Sequence, residues 1–243
     1  MVDLIRDSLA GKVAVILGVG PGQGISTVRM FINFGAKVAI VSRNGNTFGL
    51  VESSTIKAYK ADCTNPDELQ KLRERIVSDY GGIDVVCNNV GVWRQPKGEF
   101  EDPAEMEEMF RINVMSMYNS IRIFSESMKN KGGAFVNIGA SKNIFRGNSI
   151  SYTVSKSAVE ELTRKSAETL RKYNIRVNAV LPGGVNKEDN YYKVFPFNYT
   201  KLSETVQLEP IEIAMVTTFL ASEMATGITG QSITVDRGMS AKA

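Results

Sequence analysis

The stretch KVAVILGVGPGQG, residues 12–24, runs a short β-branched apolar segment directly into a glycine turn (Gly18, Gly22, Gly24) and then into a helix-forming segment from about Gln23. A strand that ends in glycines at a helix start is a natural pyrophosphate site. Glycine lets the backbone come close, and the helix N-terminus offers unpaired N–H groups and the positive end of a dipole. The spacing is G-x-x-x-G-x-G, so the G-x-G-x-x-G dinucleotide fingerprint cannot be fitted. On this motif alone, a tight turn with no ligand remains the alternative.

Outward from that stretch, β-branched runs alternate with amphipathic segments of helix length to the end of the chain. This pattern predicts parallel strands joined by right-handed helical crossovers. Seven strands are expected, at Lys12 to Leu17, Lys37 to Ser42, Ile56 to Ala61, Ile83 to Asn88, Gly133 to Ile138, Arg176 to Leu181 and Gln231 to Val235. The fold class is therefore α/β, a doubly wound parallel sheet flanked by helices, in one domain over residues 1–243. Asn65-Pro66 and Asp102-Pro103 each place a capping side chain before proline at a first helical position. Met106, Met109, Phe110, Val114 and Met117 recur at helical spacing and are expected to pack on the sheet.

Composition narrows the chemistry. A net charge of +3 comes from 29 basic and 26 acidic residues with no block of like charge, which argues against nucleic acid as a partner. Cys63 and Cys87 form no CxxC pair, so neither a disulfide framework nor a zinc site is expected, and a reducing cytoplasm fits. No segment approaches the roughly 20 apolar residues of a membrane span. The chain has no histidine, so a proton transfer near pH 7 needs another side chain with a shifted pKa. Tyr152 and Lys156, four apart in SYTVSKSAVEEL, would share one helix face and open into one cleft. A phenol titrates near 10. A unit positive charge at about 4 Å contributes roughly 4 kcal/mol at an effective dielectric of 20, a ceiling of about three pKa units.

The second strand ends in Ser42-Arg43, where a doubly wound fold faces the adenosine ribose; arginine there suits a 2′-phosphate and points to NADP, with NAD as the alternative. Residues 184–208 break the alternation and are rich in aromatic and polar groups, which predicts a substrate lid carrying Tyr191, Tyr192, Phe195 and Phe197.

With both motifs placed, the chain resembles the short-chain dehydrogenase/reductase family over essentially its full length. Supporting matches are Asp62 after the third strand, Asn88-Asn89-Val90-Gly91 after the fourth, Asn113 in RINVMSMY, Pro182-Gly183 after the sixth, and GQSITVDRG near the C-terminus. The resemblance implies a Rossmann fold and an NADP-dependent oxidoreductase acting on a small-molecule carbonyl or secondary alcohol, with 3-oxoacyl thioesters as the leading substrate. It implies Tyr152 as acid or base, Lys156 on the nicotinamide ribose, and Asn113 anchoring a water in a proton relay. Cofactor contacts would fall on Gly18, Gly22, Gly24 and Ile25, on Ser42, Arg43, Asp62 and Cys63, and on Asn89, Gly91, Pro182, Gly183 and Val185. No metal is implied.

The departures concern the carbonyl. Counting forward from FVNI puts the family serine at Ala140, counting back from Tyr152 puts it at Gly139, and Ser141 is the nearest hydroxyl and the expected choice. Pro182-Gly183-Gly184-Val185-Asn186-Lys187 offers no threonine, so Asn186 or backbone would hold the carboxamide. A nucleotide sensor or scaffold with weakened turnover is the alternative function, and sugars or other secondary alcohols are alternative substrates. A homotetramer through paired long helices is also implied by the resemblance.

Overall fold

The computed structural model describes residues 8–95, 98–145, 147–188 and 207–242. The strands are β1 (Val13–Leu17), β2 (Lys37–Ser42), β3 (Ile56–Lys60), β4 (Val85–Asn88), β5 (Gly133–Ile138), β6 (Ile175–Pro182) and β7 (Ser232–Val235). They form a parallel sheet in the order β3-β2-β1-β4-β5-β6-β7. All seven expected strands are present. β2 and β5 have the expected bounds, and the other strands differ at their ends by one or two residues, as where β4 begins at Val85, past the expected Ile83.

Helices α1 (Gln23–Asn33), α2 (Pro66–Tyr80), α3 (Pro103–Phe110), α4 (Ser116–Ser125), α5 (Ile150–Leu170) and α6 (Pro210–Ala221) cover the sheet. Every residue of β1 is buried, as a strand covered on both faces requires. Its alternate side chains feed two cores. Val13, Val15 and Leu17 pack with Leu69, Ile76 and Phe124 from α2 and α4, while Ala14 and Ile16 pack with Val28, Phe31 and Ile213 from α1 and α6. A buried polar chain crosses the first layer, with Asn88 Nδ2 donating to Asn137 Oδ1 at 2.8 Å and Asn137 Nδ2 donating to Thr163 Oγ1 at 2.9 Å.

The proline-led helix starts form as their residues dictate. Asn65 accepts from the N–H groups of Asp67 and Glu68, and Asp102 accepts from that of Ala104. The methionine stripe is corrected in part. Met109 and Met117 are buried, but Met106 is 37% exposed. A π-helical turn, Arg111–Met115, separates α3 from α4 and adds a residue to the repeat, so positions on either side no longer share one face.

Strand order reverses between β1 and β4, and there the two connecting helices diverge to opposite faces and leave a crevice at the carboxyl ends of the strands. The ends of the expected lid are clamped beside it. Leu208 N–H donates to Gly184 O at 2.7 Å and Asn186 N–H to Leu208 O at 2.8 Å. Tyr191, Tyr192, Phe195 and Phe197 lie outside the described residues. Among the described residues, no helix is long and apolar enough to cross a membrane.

Candidate active site

Two adjoining cavities of about 620 and 430 Å³ occupy the crevice and share Gly18, Gly20, Gly91 and Val92. At their junction, Gly18 adopts φ 78°, and a Cβ there would sit 2.7 Å from the Cα of Val90. The position thus demands glycine twice, for the positive φ and for the approach of the β1 turn to the chain leaving β4. Asn89 fixes that approach, donating from Nδ2 to Gly18 O at 2.8 Å and accepting at Oδ1 from Gln23 Nε2 at 2.9 Å. Helix α1 then starts with no side-chain cap and no acidic residue in its first turn, so its positive end faces the crevice uncompensated.

The smaller cavity is lined by Ser42, Arg43, Asp62, Cys63 and Arg111, among others. Arg43 is exposed. Asp62 is held below the usual carboxylate range chiefly by the Thr64 backbone N–H, with help from the Thr64 hydroxyl, Arg111 and Arg43. Burial pushes the Cys63 and Cys87 thiols up to about 12, which leaves both unreactive.

The larger cavity contains Tyr152 and Lys156, one turn apart on α5. Ser149 caps the helix by accepting from the Tyr152 N–H at 3.2 Å. Lys156 Nζ donates to Ile138 O at 3.1 Å. A Cβ on Gly91 would lie 2.8 Å from that ammonium, so glycine at this position makes room for it. Asn113, fully buried in the π turn, accepts from the Val92 N–H at 2.8 Å and donates to Ser155 Oγ at 3.1 Å. It thereby ties the chain after Gly91 to the helix that carries the tyrosine.

Burial, acting on both groups, pushes Tyr152 up to about 12 and Lys156 down to about 8. The direction for Tyr152 is opposite to that expected from a neighbouring ammonium, because desolvation of the phenolate is the larger effect here.

Among the expected cofactor contacts, Gly18, Gly24, Asn89, Gly91, Pro182, Gly183 and Val185 line the larger cavity, and Ser42, Arg43, Asp62 and Cys63 the smaller. Two fall elsewhere. Ile25 is a core side chain, and its N–H donates to Gly20 O. Gly22 packs under the Asn186 and Lys187 carbonyls.

Ser141 is a correction. Its hydroxyl is fully buried, donates to Asp236 Oδ2 at 2.6 Å and accepts from the Asn143 N–H, so it faces away from the cavity that Tyr152 enters. Ala140 lines that cavity instead. The lining also holds polar and aromatic side chains that the sequence reading did not assign to the site, among them Gln23, Trp93 and Asn148. None stands in a pattern that names it, since Trp93 and Asn148 meet only through the fold.

A family model described as enoyl-(acyl carrier protein) reductase matches residues 18–240. The chain is 32% identical to short-chain dehydrogenase reductase 3a of Arabidopsis thaliana, with 96% of each covered. It is 31% identical to a 3-oxoacyl-[acyl-carrier-protein] reductase of Thermotoga maritima, over 95% of this chain and 98% of that one. The crystal structure of a 3-ketoacyl-(acyl-carrier-protein) reductase from Brucella melitensis, complexed with NADH, superposes with a TM-score of 0.82 at 27% identity, over 96% of this chain and all of that one.

The buried lysine predicts a pH signature. Below pH 8 the folded and unfolded states both carry the ammonium, and its desolvation cost is fully present. Between pH 8 and the ordinary value of 10.5 the folded protein has shed the proton and the unfolded chain has not, so stability rises with pH. Lys156→Met should therefore be the more stable protein at pH 7, and its advantage in chemical denaturation should shrink by about 2 kcal/mol by pH 10. A constant advantage across that range would refute the assignment.

Proposed function

Because the chain belongs to the short-chain dehydrogenase/reductase family, we propose that this oxidoreductase interconverts a carbonyl and a secondary alcohol using NADP. The observation that carries the reading is the convergence of the glycine turn, Tyr152 and Lys156 on one cavity. The residues fit a dinucleotide. Gly20 lines the cavity with nothing within 4 Å of where a Cβ would stand, α1 presents an uncapped N-terminus for a pyrophosphate, and Lys156 is a buried cation facing the same space. When bound, the nicotinamide supplies or accepts a hydride at the substrate carbon.

Tyr152, at about 12, is protonated at neutral pH and donates to the carbonyl oxygen as charge develops on it. The tyrosinate left behind is a buried anion that the Lys156 ammonium on the same helix face stabilises, and the same ammonium would hold a ribose hydroxyl of the dinucleotide. Ile138 O orients that ammonium, and Asn113 holds the Gly91–Val92 backbone, from where it would anchor the relay that returns the proton. Ile138, Ala140, Ile144 and Trp93 give the wall an apolar character suited to an acyl chain or ring, which supports a 3-oxoacyl thioester as first substrate. Tyr152→Phe should lower turnover about a thousandfold while NADPH still binds. Unchanged turnover would remove Tyr152 from the mechanism.

Arg43, exposed at the rim of the adenosine cavity, is the reader of the 2′-phosphate. Loss of its guanidinium in Arg43→Ala should weaken NADPH binding roughly tenfold or more and leave NADH binding nearly unchanged. A wild-type preference for NADH in side-by-side fluorescence titrations would overturn the choice of NADP.

Met115, Tyr118, Ile150 and Val154 are large side chains exposed on α4, α5 and the π turn before α4, and such an uncovered apolar face supports a homotetramer. Light scattering at micromolar protein should give four chain masses; a single chain mass would refute it.

A further inference from the structure

We propose that the side-chain amide of Asn148 is the second hydrogen-bond donor to the substrate carbonyl oxygen, beside the Tyr152 hydroxyl. The inference rests on the carbonyl chemistry proposed above and assigns the donor that chemistry requires. A carbonyl gaining negative charge in a desolvated site is stabilised by donors already aimed at it. The wall around Tyr152 has no hydroxyl at Ala140, and Ser141 is committed to Asp236.

Asn148 lines the same wall. Its orientation follows from its neighbours. The indole N–H of Trp93 can only donate, and it donates to Asn148 Oδ1 at 2.5 Å; the Ile144 carbonyl can only accept, and it accepts from Asn148 Nδ2. The amide oxygen is thus turned to Trp93 and the nitrogen to Ile144. One of the two Nδ2 hydrogens is engaged there, which leaves the other for a ligand in the cavity. Donation into Oδ1 also polarises the amide and strengthens what its N–H groups can give. Asn148 directly precedes Ser149, whose hydroxyl caps α5 at the Tyr152 N–H, so amide and phenol are set by one short segment. Among the described residues, the remaining amide side chains on the cavity, Gln23 and Asn89, bond each other beside the glycine turn. The Asn148 amide forms and breaks no covalent bond; it only donates a hydrogen bond.

The test compares wild type, Asn148→Ala and Asn148→Ala/Ala140→Ser in NADPH oxidation with acetoacetyl thioester, with NADPH binding titrated separately by fluorescence. The expected result is a fall in kcat of about a hundredfold for Asn148→Ala, unchanged NADPH affinity, and recovery of tenfold or more when Ala140→Ser returns a hydroxyl to the wall. The carbonyl stretch of carbon-13-labelled acetoacetyl thioester on Tyr152→Phe should also move toward its value in water when Asn148→Ala is added. Turnover of Asn148→Ala within twofold of an active wild type, or a loss that Ala140→Ser does not relieve together with an unmoved carbonyl band, would overturn the donor assignment alone. A wild type inactive on every carbonyl, including cyclic ketones and sugar lactones, would overturn the proposed function and this assignment with it.

Discussion

The approach of two backbone segments at the centre of the sheet governs everything else in the site. Where β1 and β4 end side by side, with Leu17 opposite Asn88, the chain after β1 must turn within van der Waals contact of the chain after β4. Only the missing Cβ of Gly18 permits it, and Asn89 holds the two turns together through Gly18 O and Gln23. This junction lies at the reversal of strand order, so it places the start of α1, the chain through Gly91 and the face of α5 around one crevice.

The polar interior extends that constraint toward the chemistry. Asn113 bonds the backbone of Val92 and also reaches Ser155, on the turn between Tyr152 and Lys156. The π turn that carries Asn113 sets the residue deeply enough to do so, at the cost of helical phase, and that is also why the methionine stripe is not continuous. Among the described residues, Lys156 has no carboxylate bonded to it, and it donates to the carbonyl at the end of β5. Burial of that cation lowers its proton affinity.

Most of the architecture and much of the cradle could be read from local pattern. β-branched runs, proline-led helix starts and a glycine turn at a strand end are short-range signals, and the strands and helices follow them closely. Gly18, Gly24, Asn89 and Gly91 were legible because their residue types serve close backbone approach. Ile25 was not, since nothing local says whether its side chain enters the cleft or the core. The direction of the Tyr152 shift was missed for a related reason: a charge four residues away is visible in the sequence, but the depth of burial is not.

The sequence by itself determined a parallel α/β sheet, the glycine turn after β1 and the pairing of Tyr152 with Lys156 on one helix face, because each depends on residues a few positions apart. Only the tertiary structure decided which polar groups meet in the site. Ser141 turns to Asp236, 95 residues along the chain, and Asn148 meets Trp93 across 55. The buried Ser141 hydroxyl must find its partner wherever the fold brings one, and the half-exposed Trp93–Asn148 pair likewise joins loops far apart in sequence.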